Sequence, residues 1–246
     1  ANEIALRIAR AVSLRRDLLG LDATTEAYRL VHAEGDGLSG LIADRFGKFV
    51  VIELFSLAMH RRLHEIEDAF IDAGLSVERF VVRADRTVCT QEGFTLGRDA
   101  ARREQPVIIR ENGVRFEIGL GGGHKTGFFC DQRDNRLALT ALTPGKRVLD
   151  CCCYSGGFSC YAATLGKATS VTAVDLDEKA LDLAKRNADL NAAAIDFHHA
   201  DAFDFLRRAQ AAGQQWDVVV VDPSKFVRRR TDLDLEIGRA SCRERV

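Results

Sequence analysis

The sequence predicts an α/β fold in which a small α+β region precedes a parallel sheet with helices on both faces. From residue 147 to residue 222, short apolar runs alternate strictly with amphipathic helical segments. Such alternation is typical of parallel strands joined by right-handed helical crossovers. The run Val218-Val-Val-Val221 is apolar on both faces, which fits a strand inside a parallel sheet.

The alternation also places the individual elements of this second region. Strands are predicted at 147–151, 170–175, 195–200 and 216–222, and helices at 157–166, 178–190 and 202–212. A hairpin over 106–118 precedes them and turns at Asn112-Gly113, a strong signal for a two-residue turn. We therefore predict one domain from 105 to 235, made of this hairpin and the parallel sheet.

Residues 1–104 are predicted to form the separate α+β domain. A helix at 3–19 carries its apolar residues on one face and four arginines largely on the other, which indicates a solvated basic face or, less favoured, an RNA-contacting face. Short strands separated by glycine turns predict an antiparallel meander. These strands, at 28–32, 41–46 and 49–55, are followed by a helix at 58–73 and a strand at 79–83.

The composition of the chain limits the class of protein to which it can belong. The chain has 246 residues, of which 46% are apolar and 29% are charged. Its net charge is −1, so its overall charge gives no indication that it binds nucleic acid. No apolar run reaches the roughly 18–20 residues of a membrane span. The seven cysteines lack a regular disulfide spacing, and three are consecutive, Cys151 to Cys153. We expect a cytoplasmic protein whose reduced thiols, Cys160 included, serve as small core residues.

Both termini look unusual. The chain begins at Ala1 inside a predicted helix, and residues 236–246 resemble the translation of a sequencing adapter. We expect a gene fragment in which 236–246 is a non-native tail.

The strongest functional signal is the stretch Arg147-Val-Leu-Asp-Cys-Cys-Cys-Tyr-Ser-Gly-Gly-Phe-Ser159, an apolar strand followed by an acid and a glycine turn. Asp175 ends the next apolar run, where a carboxylate can accept hydrogen bonds from ribose hydroxyls. The turn lacks the full G-x-G-x-x-G pattern of dinucleotide sites. An adenosine ligand without phosphates fits better, and S-adenosylmethionine (SAM) is the predicted cofactor.

Four predicted strands end in or just before an aspartate: Asp150, Asp175, Asp201 and Asp222. Ligands of open α/β sheets bind at this carboxyl edge. Asp175 is predicted to bind the ribose. Asp201 would lie beside the adenine or, equally, cap the following helix. Asp150 would order the glycine turn or reach the methionine amino group, and Gly156 would allow a close approach of the backbone.

Three motifs together resemble the bacterial class I SAM-dependent 23S rRNA cytosine-5 methyltransferases. They are Gly123-His-Lys-Thr-Gly-Phe-Phe-Cys-Asp-Gln-Arg-Asp-Asn-Arg136, the glycine turn, and Asp222-Pro-Ser-Lys-Phe226. The resemblance runs from about residue 3 to residue 235. It implies a Rossmann-like catalytic domain with strand order 3-2-1-4, truncated after its fourth strand, and an N-terminal PUA domain that this chain lacks.

The resemblance also implies roles for particular residues. Phe129, Asp131 and Arg133 would line the methionine end of SAM, where an arginine suits a carboxylate. Lys125 would serve the cofactor or an RNA phosphate, and Lys225 would contact RNA. The remaining cofactor contacts would come from the glycine turn and the strand ends, namely Asp150, Tyr154, Gly156, Asp175, Leu176, Asp201 and Ala202.

The loop that starts at Asp222 would lie at the target base. Ser224 stands where the family usually has a second proline, and Phe226 would stack on an extruded base or simply pack. Methylation of cytosine C5 needs a cysteine thiolate that adds to C6. The family has that cysteine after a later strand, so we expect this chain to lack it and not to complete the reaction. Two alternatives remain, methylation of another RNA position such as an exocyclic amine, and a non-catalytic RNA-binding module. No metal and no membrane contact are expected.

Overall fold

The computed structural model describes residues 2–97, 105–120 and 128–223. The chain divides into two compact units, Ala1–Leu137 and Ala138–Val246. In these described residues every helix is too short or too polar to cross a membrane.

The first unit is built on a four-stranded sheet with strand order β1-β2-β3-β4. Its strands are β1 (Ala27–His32), β2 (Leu41–Phe46), β3 (Phe49–Leu54) and β4 (Arg79–Arg83). The first three strands are antiparallel, which confirms the predicted meander, and β4 pairs parallel to β3.

The helices of the first unit differ in detail from the predictions. They are α1 (Glu3–Ser13), continued by a π-helical stretch (Leu14–Leu18), then α2 (Leu57–Arg61), α3 (Leu63–Asp72) and α4 (Arg86–Glu92). The helix predicted at 58–73 is interrupted at Arg62, whose backbone leaves the helical region with φ −107° and ψ 17°. The helix α4 was not predicted, because its short sequence has no clear apolar period.

The basic face of α1 is largely neutralised within its own unit. The opposite face buries Ile4, Ile8, Ala11 and Val12 against the first sheet and α3, as the helical period predicts. Three of the four arginines lie in ion pairs, which favours the solvated face over an RNA-contacting one. These pairs are Arg7–Glu3, Arg15–Asp36 and Arg16–Asp22.

The predicted hairpin is present as β5 (Val107–Glu111) and β6 (Val114–Ile118). Asn112 and Gly113 both have positive φ angles, 49° and 87°, as a two-residue turn of this kind requires. The hairpin belongs to the first unit, since the Glu26 N–H donates to the Arg110 carbonyl oxygen at 2.8 Å. The division of the chain therefore falls after Leu137, whereas the sequence placed it between residues 104 and 105.

The second unit contains a parallel sheet with strand order β10-β7-β8-β9. Its strands are β7 (Arg147–Cys151), β8 (Ser170–Asp175), β9 (Asp196–His199) and β10 (Val218–Val221). Its helices are α6 (Gly157–Ala163), α7 (Glu178–Leu190) and α8 (Ala202–Ala211), while α5 (Arg133–Leu139) crosses the boundary between the units. When these four strands are numbered 1 to 4 along the chain, starting at β7, their order in the sheet is 3-2-1-4, as predicted. The parallel sheet and its helices confirm the predicted α/β fold class.

Candidate cofactor site at the carboxyl edge of the second sheet

The sheet brings the four aspartates to its carboxyl edge. Asp150 lies in β7, in register with Val220 of β10 and Ala173 of β8. Asp175 ends β8, Asp222 directly follows β10, and Asp201 comes two residues after β9. Burial and then the negative charges of these four carboxylates raise the pKa of the Cys152 thiol to about 11. The edge is therefore an acidic rim around the turn after β7.

The turn between β7 and α6 has an unusual backbone. Cys152, Tyr154 and Gly156 all have φ in the left-handed region, at 61°, 49° and 75°. That conformation costs a residue with a side chain about 1–2 kcal/mol. The Tyr154 N–H offsets part of this cost by donating to Oδ2 of Asp175 at 2.7 Å. The backbone of Tyr154 is therefore held against the carboxylate of Asp175.

Gly156 has a packing role in addition to its turn conformation. It is the N-cap of α6, and a Cβ atom at this position would lie 3.1 Å from the Cβ atom of Ala184 in α7. The side-chain amide of Asn187, also in α7 and fully buried, donates to the Ser155 carbonyl oxygen at 2.9 Å. The glycine turn is thus held against α7 by close approach and by a buried hydrogen bond.

Asp150 is buried, with 1% of its surface exposed. Its Oδ2 accepts hydrogen bonds from the Ser159 N–H at 3.0 Å and the Ser159 hydroxyl at 2.6 Å. Its Oδ1 has no hydrogen-bond partner within the described part of the chain. Burial, with smaller contributions from Asp175 and Asp222, raises the pKa of Asp150 to about 7. A buried acceptor oxygen without a donor suits a cationic or hydrogen-bonding group of a ligand.

Asp175 is half-buried and organises the loop around it. Besides the Tyr154 N–H on Oδ2, its Oδ1 accepts from the Asp177 N–H at 2.9 Å. Each carboxylate oxygen has two lone pairs, so both oxygens keep acceptor capacity for a further donor. Two fixed acceptors at the end of a strand suit a vicinal diol, which is the group predicted to bind here.

Asp201, at the carboxyl end of β9, caps the following helix, which is one of the two roles predicted for it. Its Oδ1 accepts from the Phe203 N–H at 2.9 Å and the Asp204 N–H at 3.2 Å, which caps α8. Leu176 is exposed, and its carbonyl oxygen accepts from Nε2 of His199 at 2.9 Å. Ala202, the first residue of α8, is half-buried.

The buried cysteines of the turn and of α6 are poor nucleophiles. Burial raises the pKa of Cys151 and of Cys160 to about 12, and that of Cys153 well above its ordinary value. All three side chains are buried, and every cysteine in the described ranges is a free thiol. This supports the predicted role as small core residues, because a thiol must be deprotonated to react.

The residues predicted to line the methionine end of SAM lie in the first unit. The carbonyl oxygen of Phe129 accepts from the Arg136 guanidinium at 3.1 Å, and Asp131 is exposed. Arg133 is largely buried and pairs with Asp134, Nε to Oδ1, at 3.0 Å. Because they belong to a different unit from the acidic rim, their role in the cofactor site stays a prediction.

Arg136 is a residue of this motif whose role the sequence did not reveal. It forms a bidentate ion pair with Glu111 at 2.8 and 3.0 Å, and 4% and 0% of the two side chains are exposed. The guanidinium also lies over the Phe128 ring, 4.7 Å from its centroid. Arg136 therefore anchors the backbone at Phe129 to the end of β5. Ser159 and Asn187 were likewise missed, since each acts through the fold rather than through a motif.

Several predictions fall outside the described residues. They are the roles of Lys125, Ser224, Lys225 and Phe226 and the nature of the tail 236–246. Asp222 is described and exposed at the end of β10. No cluster of three or more His, Cys, Asp or Glu in the described ranges is arranged to hold a metal ion.

Comparisons with known proteins identify the family to which this chain is similar. A family model described as S-adenosylmethionine-dependent methyltransferase matches residues 70–241, more than half of the chain. A curated relative from Photobacterium profundum, called ribosomal RNA large subunit methyltransferase I, is 39% identical over 92% of this chain. A relative of the same name from Klebsiella pneumoniae is 38% identical over 91% of it. The chain spans only 58% and 56% of these two relatives.

Two solved structures described as methyltransferases share the fold. One, complexed with SAH, is 25% identical with a TM-score of 0.76 and covers 94% of this chain and 60% of its own. The other, from Streptococcus mutans, is 23% identical with a TM-score of 0.75, and the match covers 96% of this chain and 64% of its own.

Proposed function

Given that this chain belongs to the S-adenosylmethionine-dependent methyltransferase family, we propose that it is the cofactor-binding part of an enzyme that methylates ribosomal RNA. We further propose that the product is 5-methylcytosine in 23S rRNA. The observation that carries the cofactor assignment is Asp175, whose two oxygens are fixed at the end of β8 beside the glycine turn.

The residues of the acidic rim fit SAM as the cofactor. SAM, when bound, supplies an electrophilic methyl group on a positively charged sulfur. Asp175 would hold the ribose hydroxyls, and the left-handed turn at Tyr154 and Gly156 would bring the backbone close to the ligand. The buried Oδ1 of Asp150 offers an acceptor to a positively charged group. Leu176 and Ala202 would flank the adenine beside Asp201.

The proposal that ribosomal RNA is the substrate rests on the names of the relatives. Two relatives that are 39% and 38% identical to this chain bear the name ribosomal RNA large subunit methyltransferase I. The loop that starts at Asp222 leaves the sheet at the same carboxyl edge as the proposed SAM site. A substrate base presented beside Asp222 would therefore be near the methyl donor.

Methyl transfer to RNA tests this function directly. The chain, and in parallel the longer Photobacterium relative, would be incubated with methyl-labelled SAM and unmodified 23S rRNA. Nucleoside mass spectrometry of the digested RNA would then identify the methylated base. Label in 5-methylcytosine from the relative, lost when its counterpart of Asp175 is replaced by alanine, is the expected result. Label in another nucleoside would reject the cytosine assignment, and absence of label from RNA would reject the substrate class.

A further inference from the structure

Only one of the two carboxyl oxygens of Asp150 accepts a hydrogen bond from the described residues. Both Ser159 donors go to Oδ2, and Oδ1 is buried with no partner in the described ranges. A fully ionised carboxylate in such a position would have two donors on Oδ2 but no donor or cation at Oδ1, although a buried charge is usually paired. The unit therefore presents a buried oxygen that needs either a proton or a positively charged ligand.

The groups around Asp150 strengthen this requirement. Its neighbours across the sheet, Ala173 and Val220, are uncharged, and the charged groups that act on it from β8 and β10 are Asp175 and Asp222, both acidic. Among the residues that the structure describes, the other titratable neighbours are thiols whose pKa is raised, so they stay neutral at pH 7; they are Cys151, Cys152, Cys153 and Cys160. Asp175 and Asp222, together with burial, therefore favour the protonated form of Asp150 and outweigh the two Ser159 hydrogen bonds, which favour the carboxylate.

We propose that Asp150 holds a proton while the site is empty, and that it releases this proton to solvent when it binds the ammonium group of the cofactor's methionine moiety. The step balances: a neutral carboxylic acid and a cationic ammonium group become a carboxylate–ammonium pair and one proton in solution. No bond to carbon is formed or broken. This inference rests on the proposed SAM site and adds a proton to its binding equilibrium.

The linkage has a defined pH range. Because burial raises the pKa of Asp150 to about 7, the group is mostly protonated at pH 6. An α-amino group is still cationic there, since its ordinary pKa is about 7.7–8.0. SAM binding at pH 6 should then release about 0.9 proton, and about half a proton at pH 7. The affinity for SAM should rise several-fold between these two pH values.

Isothermal titration calorimetry of the chain with SAM tests the proposal. Titrations at pH 6.0 in buffers of different ionisation enthalpy give the number of protons released per SAM bound. SAH, which keeps the ammonium group, should release the same number. 5′-Methylthioadenosine, which lacks that group, should bind without releasing a proton.

Three variants separate this role from a structural one. Asp150→Asn should bind SAM about tenfold more weakly and release no proton. Ser159→Ala removes a donor that favours the carboxylate, so its proton release should extend to higher pH. Asp189→Asn, on the exposed face of α7, should behave as the unmodified chain. Ser159→Ala keeps the test decisive if Asp150→Asn does not fold.

The outcomes are distinct. Binding of SAM without proton release, or equal release by Asp150→Asn, would overturn the inference and leave the SAM site standing. Release with SAM but not with SAH would also overturn it, because the sulfonium would then be the group sensed. A folded chain that binds no SAM would contradict the proposed function as well.

Discussion

The backbone N–H of Tyr154 donates to the Asp175 carboxylate at 2.7 Å, which ties the turn after β7 to the end of β8. One carboxylate thus fixes a left-handed backbone and lies where a ribose is expected. Positions that organise a turn and bind a ligand are costly to change, since both functions depend on the same atoms.

Replacing Asp175 by asparagine should destabilise the second unit without SAM. The two oxygens accept from the Tyr154 and Asp177 N–H groups, whereas an amide supplies only one acceptor. We expect a loss of about 1–3 kcal/mol in the free energy of unfolding, measured by urea denaturation. Asp189→Asn is the control, because Asp189 is exposed on α7. Equal stability of the two variants would show that the loop does not depend on this carboxylate.

Two glycine-to-alanine substitutions should differ in cost. Gly156 and Gly213 both have positive φ, 75° and 67°, but only Gly156 has a neighbour, Ala184, within reach of a new Cβ atom. Gly213→Ala should cost about 1 kcal/mol for the backbone alone. Gly156→Ala should cost about 1–3 kcal/mol more through overpacking between α6 and α7. Similar thermal unfolding of the two variants would count against the close packing.

How far the sequence predicted this fold depended on the strength of the local pattern. The alternation of β7 to β10 with their helices, and the Asn112-Gly113 turn, followed from periodicity and turn chemistry. The break at Arg62 and the helix α4 did not, because packing rather than propensity decides such short elements.

The candidate site was predictable to a similar extent. Strand ends located Asp150 and Asp175, since parallel strands end at one edge. The buried partners were not visible, because Ser159 and Asn187 meet the turn only after the helices α6 and α7 pack. The left-handed backbone at Cys152 was also unexpected, because residues with a side chain rarely adopt that conformation.

Stability should depend on pH through Asp150. Its pKa is about 7 in the folded chain and near 3.9 in an unfolded one. The stabilisation is therefore complete below about pH 4 and is lost as pH rises towards 7, by roughly 2–4 kcal/mol in total. Asp150→Asn should show a flatter profile between pH 5 and pH 8 and a higher midpoint in urea at pH 8. A decline with pH as steep as in the unmodified chain would assign the effect to another group.

The buried ion pair of the first unit should be sensitive to removal of one partner. Arg136→Met leaves Glu111 buried without its bidentate partner and should cost about 3–5 kcal/mol. Adding Glu111→Leu in the same chain should recover most of this loss. The comparison is made by chemical denaturation of the two variants. A double variant no more stable than Arg136→Met would indicate that Glu111 is satisfied by other groups.

Calorimetric titration of the folded chain with SAM at pH 7, compared with Asp175→Ala, tests the central claim most directly. Asp189→Ala serves as the matched control on the surface of α7. We predict saturable binding with one SAM per chain, unchanged in the control and weakened at least tenfold in Asp175→Ala. Absence of binding by the folded chain, or equal affinity of all three proteins, would contradict a SAM site at this edge of the sheet.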